Sequence, residues 1–540
     1  MSSFLLEKIK NFTQRKQSTI LSASLVLAVT FGISALLGFL RSRFLYAHFF
    51  NCCVADLDVY NAAFRLPDLI FKLLVTGALS ASFIPVYSSY LHKNKKTADR
   101  MASSVINLLL IIFSVASIIV IIFAHPLSQF IAHGFTPSQV DLMANLTRIL
   151  LIAQIFFLVS NFLTGILQVN QIFIVSAISP IVYNIFIILG IFTLAPIFGI
   201  YGVVYGAVVG AFFHLAIQIP SIRRQGFKFS FIIKTKLKGV REVFKLMVPR
   251  SLALGLGEIE NTVTLFFATT LAAGSLSLLN LAVQFMYLPS RIFGTTIGQA
   301  SLPILSSNIA KNELESFKKT VSKIILQSLY IALPITVLIL VNRLAIVRIL
   351  FGSKEFPWAA TLLTAKILAY LTPAIACQAV IQILIRAFYA LHNTKTPFKI
   401  SFISLFATVA TSYYFINFTN LGVVSLAISA SIGNLVQMFG LLYLFIKTVH
   451  GFDWAQMFSK FNRIFLSTLI MGFVSWLSIR FFDLFILDTT KTIYLMILFI
   501  LSSLIGIITY IASSKLLNVD EYKDYLKYGV KIKNFFNKKK

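Results

Sequence analysis

The chain has 540 residues, of which 58% are hydrophobic and only 12% are charged, and its formal net charge is +29. A soluble domain carries about 25% charged residues, and no polar stretch here is long enough to fold as one. The three cysteines and seven histidines show no metal-ligand spacing, so neither structural zinc nor a disulfide framework is expected. The composition predicts an all-α polytopic membrane protein that needs no cofactor.

Apolar stretches follow one another along almost the whole chain. A helix that crosses the bilayer needs about 20 apolar residues. By this measure the sequence predicts fourteen spans, at 19–47, 62–90, 102–124, 142–167, 171–195, 199–221, 246–272, 276–306, 322–350, 359–390, 397–417, 421–446, 464–486 and 492–514. Several of them contain proline, which membrane helices tolerate where neighbours or a water-filled cavity satisfy the backbone groups it leaves unpaired.

The basic residues test this count, because loops on the cytoplasmic side are enriched in Lys and Arg. With the N-terminus inside, the inner loops and termini hold 34 Lys and Arg, whereas the outer loops hold only Lys354 and Lys491. A missed span would invert every later loop, so both termini are predicted to be cytoplasmic. The distribution of positive charge therefore indicates which loops are cytoplasmic. It does not indicate a nucleic-acid partner, and none is expected.

Two halves are indicated by similar proline patterns in the second and eighth spans, RLPDLIF with FIPVYSS and YLPSRIF with SLPILSS. Paired halves around a central site are typical of transporters. The predicted organisation is a six-helix lobe at 1–222, a basic linker at 223–245, a second six-helix lobe at 246–447, two further helices at 464–514 and a basic tail at 515–540.

Charged residues inside the spans repeat at helical spacing. In the second span Arg65, Asp68 and Lys72 lie at i, i+3 and i+7 and so share one helix face. Two further sets repeat the pattern, Thr30 with Ser34 and Arg41 in the first span, and Gln284 with Arg291 and Thr295 in the eighth. A charge at mid-bilayer costs at least about 2.5 kcal/mol, so these faces predict a shared hydrated cavity. The alternative is internal pairing, for instance of Arg65 with Asp68.

The predicted cavity is cationic, which favours an anionic cargo. Arginine suits phosphate because its planar fork binds two oxygens at once. The predicted substrate-binding residues are Arg41, Arg43, Asp58, Arg65, Lys72, Gln284 and Arg291. Glu258 and Glu260 in the seventh span oppose this charge. Either one could pair with a cavity arginine or bind a coupling proton or cation.

Several segments carry a family resemblance. GFLRSRFLYAHFF (38–50), DVYNAAFRLPDLIFKLL (58–74) and PSRIFGTTIGQASLPILSS (289–307) resemble signatures of the MurJ (MviN) lipid II flippase family, and RAFYALHNTKTPFKI (386–400) resembles its FYAxxDTxTP motif. The family belongs to a superfamily of polysaccharide-lipid and multidrug exporters. The resemblance implies fourteen spans and movement of a polyprenyl-diphosphate-linked peptidoglycan precursor, lipid II, to the outer leaflet of the bacterial cytoplasmic membrane by alternating access. The partners it implies are lipid II and membrane lipids, and we expect a monomer.

The resemblance also assigns individual residues. It implies that Arg41 matches a required arginine of the first span, that Asp58 matches an acidic residue before the second span, and that Arg65 lies where the family has Lys or Arg. The sequence departs from the family pattern at five positions, with Ala35, Phe71 and Gln284 standing at family arginines, Thr76 at a usual Glu and Asn393 at a usual Asp. Lys72 and Arg291 are the nearby cations that could substitute.

Three alternative functions differ in how well they fit these features. An enzyme such as a membrane glycosyltransferase would need catalytic residues in sizeable outer loops, and here those loops are short and almost free of charge. An exporter of another polyprenyl-linked oligosaccharide fits the same features. A drug exporter for organic cations is disfavoured, because it would need an acidic cavity.

Overall fold

The computed structural model describes residues 20–76, 79–290, 296–353, 356–486, 488, 491–523 and 525. The described chain contains helices and connecting turns without any strand, which confirms the predicted all-α membrane fold. Predicted residues that lie outside the described part include Arg291 and Thr295. The backbone divides into two compact units, residues 1–276 and 277–540. The predicted boundaries of the lobes, linker and tail stay a prediction.

The first unit begins with a long helix, α1 (Ile20–Ala63), which bends at Cys53. It continues through α2 (Arg65–Phe71) into two π-helical turns, π1 (Lys72–Thr76) and π2 (Leu79–Phe83). The helices that follow are α3 (Ile84–Lys93), α4 (Lys95–Ile122), α5 (Ala124–Ile131), α6 (Pro137–Val169), α7 (Ile174–Thr193), α8 (Ala195–Phe198), α9 (Ile200–Ala216), α10 (Ile219–Arg224) and α11 (Lys238–Thr269).

The second unit is formed by the remaining helices, of which α12 begins just before the division between the units. They are α12 (Ser275–Pro289), α13 (Thr296–Ala310), α14 (Leu314–Val341), α15 (Arg343–Phe351), α16 (Trp358–Leu371), α17 (Pro373–Ala390), α18 (Lys395–Phe418), α19 (Val424–Thr448), α20 (Trp454–Phe485) and α21 (Thr492–Leu516). An apolar core of this unit packs α14, α17 and α19 around Phe317, Phe388 and Phe445, which are fully buried.

Local sequence signals explain where several helices begin. At the start of α6, Thr136 and Gln139 form a reciprocal capping box, and Pro137 occupies the first turn, where its missing N–H costs nothing. Asn94 caps α4 by accepting from the Thr97 N–H at 3.1 Å. Close helix packing also depends on small residues, because a methyl group added at Gly190 of α7 would lie 2.9 Å from the Gly206 backbone of α9.

Ten helical segments among the described residues are long and apolar enough to cross a membrane. They are Lys95–Ile122, Pro137–Val169, Ile174–Thr193, Ile200–Arg224, Leu314–Val341, Trp358–Ala390, Lys395–Phe418, Val424–Thr448, Trp454–Phe485 and Thr492–Leu516. The remaining predicted spans lie in α1, in the broken segment from α2 to α3, in α11 and in α12 with α13. These are the spans that carry the predicted site residues, and the count of fourteen stays a prediction.

Candidate functional site

A cavity of about 500 Å³ opens within the first unit. Its walls come from α1, α2, π1, α6 and α7. They are lined by Arg41, Tyr60, Asn61, Phe64, Asp68, Phe71, Lys72, Thr76, Gln154, Phe157, Asn161 and Tyr183. The structure therefore brings three of the predicted charged residues, Arg41, Asp68 and Lys72, to one cavity.

Arg41 lies on α1 and is half-buried at the cavity wall. Within the described part of the chain, its guanidinium forms neither a hydrogen bond nor an ion pair. A guanidinium carries five N–H donors in a planar fork, and leaving them unpaired at membrane depth is costly. Arg41 is thus the lining group with the greatest unused capacity to bind an anion.

A second charged group lies where α2 and π1 pack against α11. The Glu258 carboxylate pairs with the Arg65 guanidinium through one oxygen and with the Lys72 ammonium, at 3.0 Å, through the other. We call Arg65, Lys72 and Glu258 the charge triad. Only 16% of the Arg65 side chain and 10% of the Glu258 side chain are exposed, compared with 40% of Lys72. Lys72 is therefore the triad member that can reach the cavity.

The π-helical turn at π1 helps to place Lys72. A π-turn interrupts the regular hydrogen bonds of an α-helix, and such turns occur frequently at functional sites. Here the Ser251 hydroxyl of α11 donates a hydrogen bond to the Leu73 carbonyl. Helix α11 therefore makes two contacts with π1. Its Ser251 bonds a backbone carbonyl of π1, and its Glu258 pairs with Lys72, the first residue of π1.

Asp68 has a different partner from the one that helical spacing suggested. Its carboxylate accepts a hydrogen bond from the Gln154 amide of α6 at 3.0 Å, while Arg65 is engaged by Glu258. Internal pairing of Arg65 with Asp68 is thus not what the structure shows. Spacing places residues on a helix face, but the neighbouring helix decides which partner each one meets.

The rest of the lining is neutral, and apart from Phe71 and Thr76 it was missed by sequence reasoning. Phe157 of α6 is central to it, because its ring makes edge contacts with Phe71, Tyr183 and His214 at centroid distances of 6.4, 5.0 and 5.1 Å. Behind this ring, His214 Nδ1 lies 2.6 Å from the Ser160 hydroxyl. Neutral aromatic and amide side chains are ordinary in membrane helices, so no charge or spacing distinguished Gln154, Phe157, Asn161 or Tyr183 beforehand.

Asp58, Arg43 and Gln284 are not among the residues that line the cavity. The Asp58 carboxylate is buried and accepts the Gly274 N–H at 2.6 Å, so it holds the turn after α11, where Gly274 adopts a φ of +90°. Arg43 is half-buried on α1 but does not line the cavity. Gln284 belongs to α12 of the second unit.

Glu260 is half-buried on α11, and its carboxylate forms no hydrogen bond or ion pair with the described residues. Nor does the described chain bring together three His, Cys, Asp or Glu side chains as metal ligands. The roles of Arg43, Asp58, Gln284, Arg291 and Glu260 in binding or coupling stay predictions.

The fold and this cavity define a class of protein. Apolar helices that cross a bilayer, with a polar and partly charged cavity opening among them, form a membrane transporter.

Comparison with known proteins identifies the family. Residues 48–497 match the family model described as MurJ, lipid II flippase MurJ. The chain belongs to this family.

Individual relatives agree over most of the chain. A probable lipid II flippase MurJ of Bdellovibrio bacteriovorus is 24% identical over 90% of this chain and 93% of its own length. The corresponding protein of Buchnera aphidicola subsp. Schizaphis graminum is 27% identical over 84% of this chain and 90% of its own.

Solved structures share the fold. A lipid II flippase MurJ in an inward closed conformation matches with a TM-score of 0.74, at 24% identity, covering 93% of this chain and all of its own. An inward-facing multidrug transporter of the MATE family matches with a TM-score of 0.62, at 16% identity, covering 79% of this chain and 98% of its own.

Proposed function

We propose that this protein is a lipid II flippase of the bacterial inner membrane, which moves the polyprenyl-diphosphate-linked peptidoglycan precursor to the outer leaflet by alternating access. The observation that carries the proposal is the unpaired guanidinium of Arg41 on the wall of the cavity. Family membership and the match to a MurJ structure support it.

The charge of the cavity suits a cargo that must be released. Arg41 and Lys72 outnumber Asp68 in the lining, and the Arg65–Glu258 pair behind it is neutral as a unit. The lining therefore has a small positive excess, which neutralises only part of a diphosphate. A transporter site has to bind well enough to load and weakly enough to unload, and a partial neutralisation meets both needs.

Lys72 supplies a way to change that charge during the cycle. It is shared between Glu258 and the cavity, because it contacts the carboxylate and also lines the pocket. An arriving phosphate competes with Glu258 for the ammonium, while Arg65 keeps the carboxylate paired. When the cargo leaves, Lys72 returns to Glu258, so the ammonium keeps a partner in the empty state.

The test is lipid II flipping by purified protein in proteoliposomes. We expect Arg41→Ala to lower the flipping rate by about 10- to 100-fold, which is the loss of a charge-assisted contact, and Arg41→Lys to restore part of it. A matched control is Arg148→Gln, because Arg148 on α6 is already bonded to the Asn145 side chain and the Ile121 carbonyl. Equal flipping by Arg41→Ala and the parent protein would refute the role of Arg41.

An exporter of another polyprenyl-linked oligosaccharide would bind the same diphosphate through the same residues. The two cargoes are separated by competition in the flipping assay. Lipid II should compete at least as well as a polyprenyl diphosphate that carries an unrelated oligosaccharide. Stronger competition by the unrelated oligosaccharide would indicate that the protein exports that cargo instead of lipid II.

The proposal includes the orientation of the chain. Labelling of single introduced cysteines should place residues 92–100, 223–245 and 311–323 and the C-terminus inside, and residues 51–58 and 482–491 outside. The support is the 34-to-2 distribution of Lys and Arg. One of these segments on the opposite side would overturn the fourteen-span topology.

A further inference from the structure

The segment between α10 and α11 has no regular secondary structure and lies along α4, to which it is hydrogen-bonded. We call residues 227–234 the strap. It follows Arg224, where one apolar span ends, and it contacts the first turns of another span, which begins at Lys95. The strap therefore lies where helices of the first unit leave the membrane.

Its backbone is fixed to one face of α4 through even-numbered residues only. Asp99, Ser103 and Asn107 are spaced at i, i+4 and i+8, so they form a row along the helix. The bonds are Lys228 N–H to Asp99 at 3.2 Å, Ser230 N–H to Ser103 at 3.2 Å, Lys234 N–H to Ser104 at 3.2 Å, and the Asn107 amide to the Ser230 and Ile232 carbonyls at 2.9 and 3.0 Å.

The odd-numbered residues from 229 to 233 take no part in these bonds, and a turn at Phe231 is closed by the Ile232 N–H, which donates to the Ser230 carbonyl at 2.8 Å. Phe229, Phe231 and Ile233 are 42%, 93% and 50% exposed, and the two phenylalanine rings contact each other at 5.1 Å. Their backbone groups have no hydrogen-bond partner in the described protein. Unpaired backbone is not tolerated in hydrocarbon, so this apolar ridge fits the headgroup level rather than the bilayer core.

Basic side chains surround the ridge. Between residues 223 and 245 there are eight Lys and Arg and one acid, Glu242. All eight cations are exposed, namely Arg223, Arg224, Lys228, Lys234, Lys236, Lys238, Arg241 and Lys245. Within the described chain none of them forms an ion pair. The ridge and its cations together present apolar rings flanked by unpaired positive charge.

We propose that the strap is a binding site for anionic phospholipid, with the ridge inserted at the boundary of headgroups and acyl chains and the lysines bound to headgroup phosphates. Aromatic rings beside basic residues are the composition of segments that lie in the membrane interface. Each lysine close to an anionic surface strengthens binding by about fivefold. Because the strap is hydrogen-bonded to α4 beforehand, little chain ordering is needed when lipid binds.

The test uses the full chain in nanodiscs that mix phosphatidylcholine with phosphatidylglycerol. A single fluorescent reporter is made by Phe231→Trp combined with Trp358→Phe, Trp454→Phe and Trp476→Phe, all exposed positions. Acyl-chain bromine, which quenches tryptophan on contact, is placed on one lipid or the other at the same mole fraction. We expect brominated phosphatidylglycerol to quench at least about twofold more than brominated phosphatidylcholine.

Two lysine variants separate the charge from the ridge. Lys228→Gln with Lys234→Gln and Lys236→Gln should abolish the preference for phosphatidylglycerol while quenching by both lipids remains. The matched control, Lys311→Gln with Lys319→Gln and Lys399→Gln, removes three exposed lysines from other basic segments and should keep the preference. Equal quenching by the two lipids in the reporter protein would overturn the proposal. So would no quenching by either lipid, which would indicate a strap that faces water or another protein.

Discussion

The polar groups inside the two units differ in kind. In the first unit they include charges, namely the charge triad behind the cavity and Arg41 on its wall, which pairs with none of the described residues. In the second unit the buried polar contacts between helices include neutral pairs. The Gln378 side-chain amide donates to the side-chain oxygen of Asn434 at 2.5 Å. The Ser502 hydroxyl donates to the side-chain oxygen of Asn342 at 2.8 Å.

The difference shows what each kind of contact is for. A neutral amide or hydroxyl pair joins two helices at modest cost and leaves little reason to exchange partners. A charge at membrane depth is costly, so such charges commonly mark sites that bind a substrate or an ion. The comparison predicts that transport depends on the charges of the first unit, and that the neutral pairs of the second unit affect stability alone.

The largest effect is expected at Glu258. Glu258→Gln leaves Arg65 and Lys72 close together without their shared counter-charge, and breaking a buried ion pair costs about 3–5 kcal/mol. We expect a lower melting temperature of the purified protein and loss of lipid II flipping. Adding Lys72→Met should recover part of the stability, because one of the two repelling cations is removed. A Glu258→Gln protein as stable as the parent would show that the triad does not stabilise the first unit.

A smaller effect is expected at Gln154, which donates to Asp68. Gln154→Leu leaves the Asp68 carboxylate without this donor, at a cost of about 1.5–3 kcal/mol for a hydrogen bond to a charged group. We expect reduced thermal stability and slower flipping. The control is Gln168→Leu on the same helix, since the Gln168 side chain makes no hydrogen bond within the described protein. Equal losses in the two variants would mean that the Asp68 contact is not special.

The neutral pair of the second unit should behave differently. Gln378→Leu alone leaves the Asn434 side chain short of a partner and should cost about 1 kcal/mol. The double variant Gln378→Leu/Asn434→Leu removes both partners, so its melting temperature should return close to that of the parent protein. Flipping should stay at the parent rate in both. A strong loss of flipping would place this pair in the transport cycle and break the comparison between the units.

The smallest effect is expected for Asp58→Asn. An asparagine oxygen still accepts the Gly274 N–H, so this contact loses only the difference between a charged and a neutral acceptor, about 1 kcal/mol. We expect a slight change in melting temperature and nearly normal flipping. Loss of flipping with unchanged stability would instead support the predicted role of Asp58 in binding the cargo.

Part of the site could be predicted from the helical periodicity of charged residues. Arg65, Asp68 and Lys72 share a face because of their spacing, and a stripe of charge in an apolar span has to face a cavity or a partner. Periodicity does not show what stands opposite. The partner of Arg65 turned out to be Glu258, 193 positions away in the chain, and that of Asp68 was the neutral Gln154.

Arg41 and Arg43 illustrate the same limit within one helix. Both are arginines of α1, two positions apart, and composition treats them alike. Two positions in a helix turn a side chain by about 200°, so one guanidinium lines the cavity and the other does not. Which of the two faces the cavity depends on how α1 packs against α6 and α7. That packing cannot be predicted from the local sequence pattern.

The sequence alone determined the membrane-spanning all-α class, the sites where charge enters the spans and the family, because hydropathy, charge and short motifs are local properties of the chain. Tertiary structure decided which cations are neutralised and which is left for a ligand, and it placed the aromatic wall around Phe157. It also decided that the basic linker forms a strap along α4 rather than a loose loop. These outcomes depend on contacts between residues far apart in sequence, and a hydrogen bond or ion pair exists only when packing brings both partners within about 3 Å.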